Sequence, residues 1–339
     1  MKNLKKIIVP LLIICIVCIP LAYILTYYSY SEALEPCQKR VIGYYSFWEE
    51  TTLNVSQLSQ LTHIIFMSAF IQNDGSVMFK YQNETWYEKR FLEMKEIIDM
   101  APKTGLKVMI AVGGHETSHL FSPTLNDRVK KKNLLSSILR LFDDYDIDGI
   151  EIFWQFPLEK DIVDHAKLIK ELRQELTKLK ETKGRSEDYI LSTITSRFPL
   201  RPKNIFYNEI MKYVDFVNVF TYDWSFMASF VGPVAPLYGG HEESIDYGKQ
   251  ETMAWWINEK VLWHNKSRSA YMWMEKERAF ASVENEQSLM EKANYVKEKN
   301  LGGITISVLE KDYTHTLINA ITSVDLGDCD EKNTYDCDS

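Results

Sequence analysis

Asp146-Ile147-Asp148-Gly149-Ile150-Glu151-Ile152-Phe153-Trp154-Gln155 is the stretch that decides how this chain is read. Taken as a strand over 150–155, its side chains alternate between two faces. Glu151, Phe153 and Gln155 share one face, and Ile150, Ile152 and Trp154 share the other. In a parallel barrel the outer face packs on helices, so the two isoleucines and the tryptophan belong outside. The inner face leads to the C-terminal rim, where barrel enzymes place their chemistry, and Gln155 falls at that rim.

Outward from this strand, short β-branched and aromatic runs alternate with longer segments of helical period. The predicted strands are 40–45, 63–70, 107–112, 149–154, 189–195, 216–222, 269–273 and 303–308. Helical patterns fall at 88–100, 127–142, 161–180, 203–213 and 287–299. Asn126 and Asp161 are suited to cap two of these helices at their N-termini. Asn73-Asp74-Gly75 between apolar stretches predicts a tight hairpin. Eight strand-plus-helix units over about 285 residues suit a closed parallel barrel, and an open doubly wound sheet would use the same alternation.

The 339 residues, 45% of them hydrophobic, are enough for one large domain or two small ones. A net charge of −8, with no basic stripe interleaved with aromatics, argues against nucleic acid as a partner. Lys2, Lys5 and Lys6 precede an apolar run from Ile7 to Leu25, broken only by Pro10 and Pro20. That run is long enough to cross a bilayer, and its basic flank predicts a cytoplasmic N-terminus. The reading is a cytoplasmic segment at 1–6, a signal-anchor transmembrane helix at 7–28, a tether at 29–39, a barrel at 40–324 and an acidic tail at 325–339. The rival is a signal peptide cleaved near Ser31-Glu32-Ala33; both readings export the domain.

Of five cysteines, Cys15 and Cys18 lie in the apolar run, while Cys37, Cys329 and Cys337 flank the folded part as disulfide candidates. Three is odd, so one thiol stays free or pairs between chains. No histidine accompanies them at zinc-like spacing, so no metal is expected, and nothing points to a cofactor. Asn54, Asn83 and Asn265 head sequons and are candidate glycosylation sites.

Asp148-Gly149-Ile150-Glu151-Ile152-Phe153-Trp154-Gln155 resembles the D-G-x-D-x-D-x-E signature of glycoside hydrolase family 18, the chitinases and their relatives. Further likenesses lie in order. Val41-Ile42-Gly43-Tyr44-Tyr45 resembles the family's first strand and Leu61-Thr62-His63-Ile64 its second. Ala111-Val112-Gly113-Gly114 resembles its S-x-G-G motif, Phe220-Thr221-Tyr222-Asp223 its M-T-Y-D, and Leu301-Gly302-Gly303-Ile304 the approach to its eighth strand. The likeness runs from about Arg40 to Asp312 and implies a (β/α)8 TIM barrel.

The departures carry the functional expectation. In the family the last glutamate of the signature protonates the glycosidic oxygen, and the substrate's own acetamido group attacks. Here that position is Gln155, whose amide has no acidic proton to give. The aspartate that supports the acetamide falls at Phe153, and the one before it at Glu151. Asp148 keeps the first aspartate, and the tryptophan floor of the sugar site falls at Ser307.

Tyr44, Gln155, Tyr222 and Asp223 remain as candidate sugar-binding residues. The resemblance therefore implies a catalytically inactive chitinase-like protein of the cell surface or secretory space, of the kind expanded in nematodes. It would bind chitin or N-acetylglucosamine oligosaccharides, or act as a protein-interaction scaffold. The alternative is a weak or altered glycosidase with Asp223 or Glu151 recruited as a new acid. Gly113-Gly114-His115-Glu116 reads as a tight βα turn. Trp255, Trp256, Trp263, Tyr271 and Trp273 read as packing rather than a sugar platform, and the segment between the sixth and eighth strands as too short for an extra domain.

Overall fold

The computed structural model describes residues 39–49, 53, 55–79, 85–155, 157–195, 205–221, 260–275 and 279–327. The predicted anchor, Cys37, Cys329, Cys337, Asn54, Asn83, Tyr222, Asp223, Trp255 and Trp256 lie outside them. Among the described residues no helix is long and apolar enough to cross a membrane.

The runs rich in β-branched residues become β1 (Arg40–Ser46), β2 (His63–Ile71), β4 (Lys107–Gly113), β5 (Gly149–Phe153), β6 (Ile190–Thr195), β7 (Phe216–Val219) and β11 (Gly303–Ile306). They pair in the order β11-β1-β2-β4-β5-β6-β7, every on-path pairing parallel, with a short β3 (Val77–Met78) appended antiparallel to β2. The result is a (β/α)8-type parallel barrel, nearly closed, one of the two architectures the alternation allows and the one the resemblance implies. The β2–β3 turn is the expected hairpin: Gly75 sits at φ +84°, and the Asp74 carboxylate accepts from Ser76 N at 2.9 Å.

Helices α1 (Val55–Leu58), α2 (Thr85–Thr104), α3 (Phe121–Leu125), α4 (Arg128–Asp144), α5 (Ile162–Lys183), α6 (Ile205–Met211) and α7 (Glu286–Glu298) occupy intervals between strands, and α8 (Thr316–Thr322) follows the last strand. The face parity read from the sequence holds. Ile150, Ile152 and Trp154 join the outer core with Leu134, Ile138, Leu168 and Leu172 of α4 and α5. Trp154 stacks on Phe121 at 4.8 Å. Gly149 is required by close approach, because a Cβ there would lie 2.3 Å from the Ile190 carbonyl oxygen of the next strand.

A second, inner core holds Ile42, Tyr44, Ile65, Met109, Phe153, Ile194, Phe220 and Val308. Its N-terminal end is plugged by Phe216, with the His63 ring edge-on at 5.7 Å and the Arg40 guanidinium 4.9 Å above it. Burial, reinforced by the Arg40 charge, pushes His63 down to about 4, so the ring is neutral there.

Three sequence expectations are corrected, one for a strand and two for helix caps. Residues 269–273, expected as the seventh barrel strand, belong to β9 (Ser269–Met274), which pairs antiparallel with β8 (Val261–His264) and β10 (Ala279–Val283) in a separate three-stranded sheet. The interval before the last barrel strand thus carries a small sheet of its own. Strand alternation is the same in both settings, so only the partner distinguishes them.

The cap of α4 is Asp127 rather than Asn126: its carboxylate accepts from the backbone N–H groups of Val129 and Lys130, at 2.8 and 3.0 Å. Asp161 precedes α5 but does not cap it. Its carboxylate accepts instead from Leu158 N at 3.1 Å and Ser122 Oγ at 2.8 Å.

Candidate functional site

The signature strand β5 runs from the base of the barrel to its rim, and its four degenerate positions sit at four levels. Asp148 is lowest. Its carboxylate accepts from Val108 N at 2.8 Å and from Arg185 at 2.5 Å, clamping the starts of β4 and β5 together. It serves the fold and does not face the mouth.

Glu151 lies one turn of the pleat higher, between Ala111 of β4 and Ser192 of β6 in register, with no exposed surface. Tyr44 Oη donates to its Oε1 at 2.6 Å. Asn218 Nδ2 and Ser192 Oγ donate to its Oε2 at 2.6 and 3.2 Å. The Asn218 amide also reaches Tyr44 Oη at 3.0 Å and accepts from Thr305 Oγ1 at 2.8 Å. One buried carboxyl thereby links β1, β5, β6, β7 and β11. Burial raises Glu151 to about 7, against the opposing effect of the three donors from Tyr44, Asn218 and Ser192.

Phe153 closes the next level. It is 3% exposed, with its ring 6.3 Å from Tyr44 edge-on and 5.3 Å from Phe220. The aromatic ring therefore stands between Glu151 and the rim on the inner face. Glu151 has neither surface nor a free path toward the mouth.

Gln155 is half-buried at the rim. Its Oε1 lies 3.1 Å from Nδ1 of the exposed His115, and its backbone N–H donates to Ser118 Oγ at 2.7 Å. Ser118 Oγ in turn donates to the Gly114 carbonyl at 2.8 Å, so the turn at Gly113-Gly114-His115-Glu116 holds the end of β5 in place. That turn is the tight βα connection expected from sequence, with Gly113 and Gly114 at φ +108° and +98°.

Ser307 is exposed just past β11. Asn265 is exposed in the β8–β9 turn, while Tyr222 and Asp223 lie outside the described residues. Among the described residues no group of histidine, cysteine or carboxylate side chains is arranged to hold a metal.

Sequence reasoning placed Glu151 on the inner face and named Tyr44 as a candidate sugar-binding residue, but missed Ser192, Asn218 and Thr305. The available signal was parity: each is a polar residue at an inward strand position, which a barrel interior tolerates only with a partner.

Fold and site together define a (β/α)8-type parallel barrel with a buried carboxyl, a phenyl ring and an amide stacked along one inner strand. The model of the glycosyl hydrolases family 18 matches residues 40–262 and 256–312, and the chain belongs to that family. It is similar to Chitinase 1 of Aphanocladium album, 20% identical over 220 residues, covering 59% of this chain and 51% of the relative. Endochitinase 1 of Metarhizium anisopliae is 20% identical over 186 residues, covering 49% and 43%. The chain thus spans about half the length of these fungal relatives.

Among solved structures, a Cycas revoluta family 18 chitinase mutant in complex with (GlcNAc)4 superposes with TM-score 0.69 at 18% identity, covering 84% of this chain and 99% of that one. An immunomodulatory active chitinase from Trichuris suis superposes with TM-score 0.65 at 15% identity, covering 80% and 92%.

Proposed function

We propose that this chain is a non-hydrolytic member of family 18 that works by binding rather than turnover. The observation that carries the reading is the pair on β5. Gln155 occupies the acid position with its amide held beside His115, and Phe153 occupies the position below it, packed between Tyr44 and Phe220. General acid–base assistance is worth about 10²–10⁴-fold in rate, and an amide offers none of it. Glu151 is a poor substitute: it is fully enclosed, both its oxygens accept hydrogen bonds, and Phe153 covers it.

The first ligand to consider is an N-acetylglucosamine oligosaccharide, since a neighbour in fold holds (GlcNAc)4. The proposal also places the barrel outside the cytoplasm, tethered by the N-terminal apolar run or released after its cleavage. The lysine-flanked run from Ile7 to Leu25 supports this.

The test is calorimetric titration with chitin oligosaccharides beside a fluorogenic hydrolysis assay on the same preparation. Saturable binding without turnover supports a lectin. Absence of binding at millimolar sugar shifts the reading to a protein scaffold. Turnover that survives purification and vanishes in Glu151→Gln would overturn the non-hydrolytic reading.

A further inference from the structure

A cluster of cations lies away from the signature strand, at the start of α4, with the Asp127 cap as the acidic group at the helix end. Arg128, Lys130, Lys131 and Lys132 fall within its first five positions, and no acidic residue occupies its first turn. Cations at a helix N-terminus oppose the helix dipole, so this placement costs stability instead of supplying it. In a chain of net charge −8 it is also a local reversal of sign.

Beside these cations α4 and α5 border a shallow, open groove of about 360 Å3 lined by Arg128, Lys131, Lys132, Leu135, Leu139 and Glu175, with Ser136 between the leucines. Two of the charges are already answered: Lys131 pairs with Glu171 at 2.7 Å, and Glu175 with Lys178 at 2.7 Å. Arg128 and Lys132 have no ion-pair partner among the described residues, and both are exposed. The lining contains no aromatic ring, which a sugar would need for stacking. An apolar floor with cations at one end instead matches a polypeptide carrying leucine-like anchors beside carboxylates, laid along the groove.

We propose that the α4–α5 groove is a docking site for an acidic, amphipathic segment of a partner protein. Apolar side chains of that segment sit over Leu135 and Leu139, and its carboxylates meet Arg128 and Lys132. The site is independent of the barrel mouth, so its failure would leave the non-hydrolytic reading of Gln155 and Phe153 untouched.

The test is fluorescence anisotropy of the full chain with a labelled peptide of repeated Leu-Leu-Glu-Glu. The peptide would be about 12 residues long, which as a helix runs ~18 Å, the span of α4 from Arg128 to Leu139. Saturable binding is expected, weakened about tenfold or more by the Arg128→Glu, Lys132→Glu double variant and by added salt. The double variant Lys103→Glu, Lys266→Glu makes the same change in net charge at exposed positions elsewhere and should leave binding unchanged. Both pairs are surface changes: the Arg128→Glu, Lys132→Glu variant should melt at or slightly above the parent, because it relieves the unfavourable dipole interaction, and the control pair slightly below it, because Lys103 lies in the last turn of α2, so a loss of binding confined to the first pair does not report unfolding. Equal binding of a leucine-free polyglutamate, tighter binding of heparin fragments, equal loss in the control pair, or no saturation at millimolar peptide would each overturn the proposal.

Discussion

Tyr44 Oη donates to Glu151 Oε1 at 2.6 Å across the barrel interior, joining residues 107 positions apart in sequence. The bond is the centre of a buried polar layer in an otherwise apolar core, and it makes Glu151 a structural carboxyl. Burial holds its pKa near 7 in the folded chain, above the ordinary value of an unfolded glutamate. The folded state therefore binds the proton more tightly, and protonation favours folding. The contribution is fully present below about pH 4.5 and is lost as pH rises through about 7. It amounts to the order of 3 kcal/mol, at 1.36 kcal/mol per pKa unit. Glu151→Gln removes this titration, so its thermal midpoint should fall less between pH 5 and 8 than that of the parent. Parallel slopes in the two proteins would show that Glu151 does not carry the effect.

Phe153 fills the level above that layer. Truncation to alanine should destabilise the barrel by about 3–5 kcal/mol, read from urea unfolding, because the ring is almost wholly buried among Tyr44 and Phe220. In the same geometry Gln155→Glu alone should leave chitin-oligomer hydrolysis at background. The restored acid would have no carboxylate at position 153 to support an attacking acetamide. A rise in turnover from that one change would remove Phe153 as a determinant of inactivity.

Arg90 and Glu310, 220 positions apart, form an ion pair with no exposed side-chain surface. The Arg90 guanidinium also donates to the Ser46 carbonyl at 3.0 Å and lies 4.0 Å from the Tyr45 ring centre. Arg90→Met should cost about 3–5 kcal/mol by leaving a buried carboxylate without its cation, and adding Glu310→Leu should recover part of the loss. Denaturation midpoints of the single and double variants measure this directly.

Asp127 accepts from two free N–H groups at the start of α4. Asp127→Ala should cost about 1 kcal/mol, and Asn126→Ala should stay within about 0.5 kcal/mol of the parent. The order of the two thermal midpoints distinguishes the observed cap from the neighbouring residue that the sequence pattern favoured.

Much of this architecture could be read from local pattern. The inward Glu151, Phe153 and Gln155 and the outward Ile150, Ile152 and Trp154 follow from strand parity, which needs no knowledge of neighbours. The hairpin at Asn73-Asp74-Gly75 follows from the backbone freedom of Gly75. Other features were not readable because they depend on who pairs with whom. Residues 269–273 alternate like a barrel strand, yet β9 finds antiparallel partners. Asn126 and Asp127 are both good caps by type, and one residue of helix phase decides between them.

By itself, the sequence determined that a β5 strand would carry an amide and a phenyl ring where the family signature has carboxylates, because residue identity and twofold alternation are local properties. Only the tertiary structure decided what became of Glu151. Its donors come from Tyr44, Ser192 and Asn218 on three other strands, and a buried carboxyl is tolerable only where such distant groups converge. The pairing of Arg90 with Glu310 and the placement of Arg128 and Lys132 beside an apolar groove were settled the same way. Charge in a folded protein acts over distances in space that are unrelated to distance along the chain.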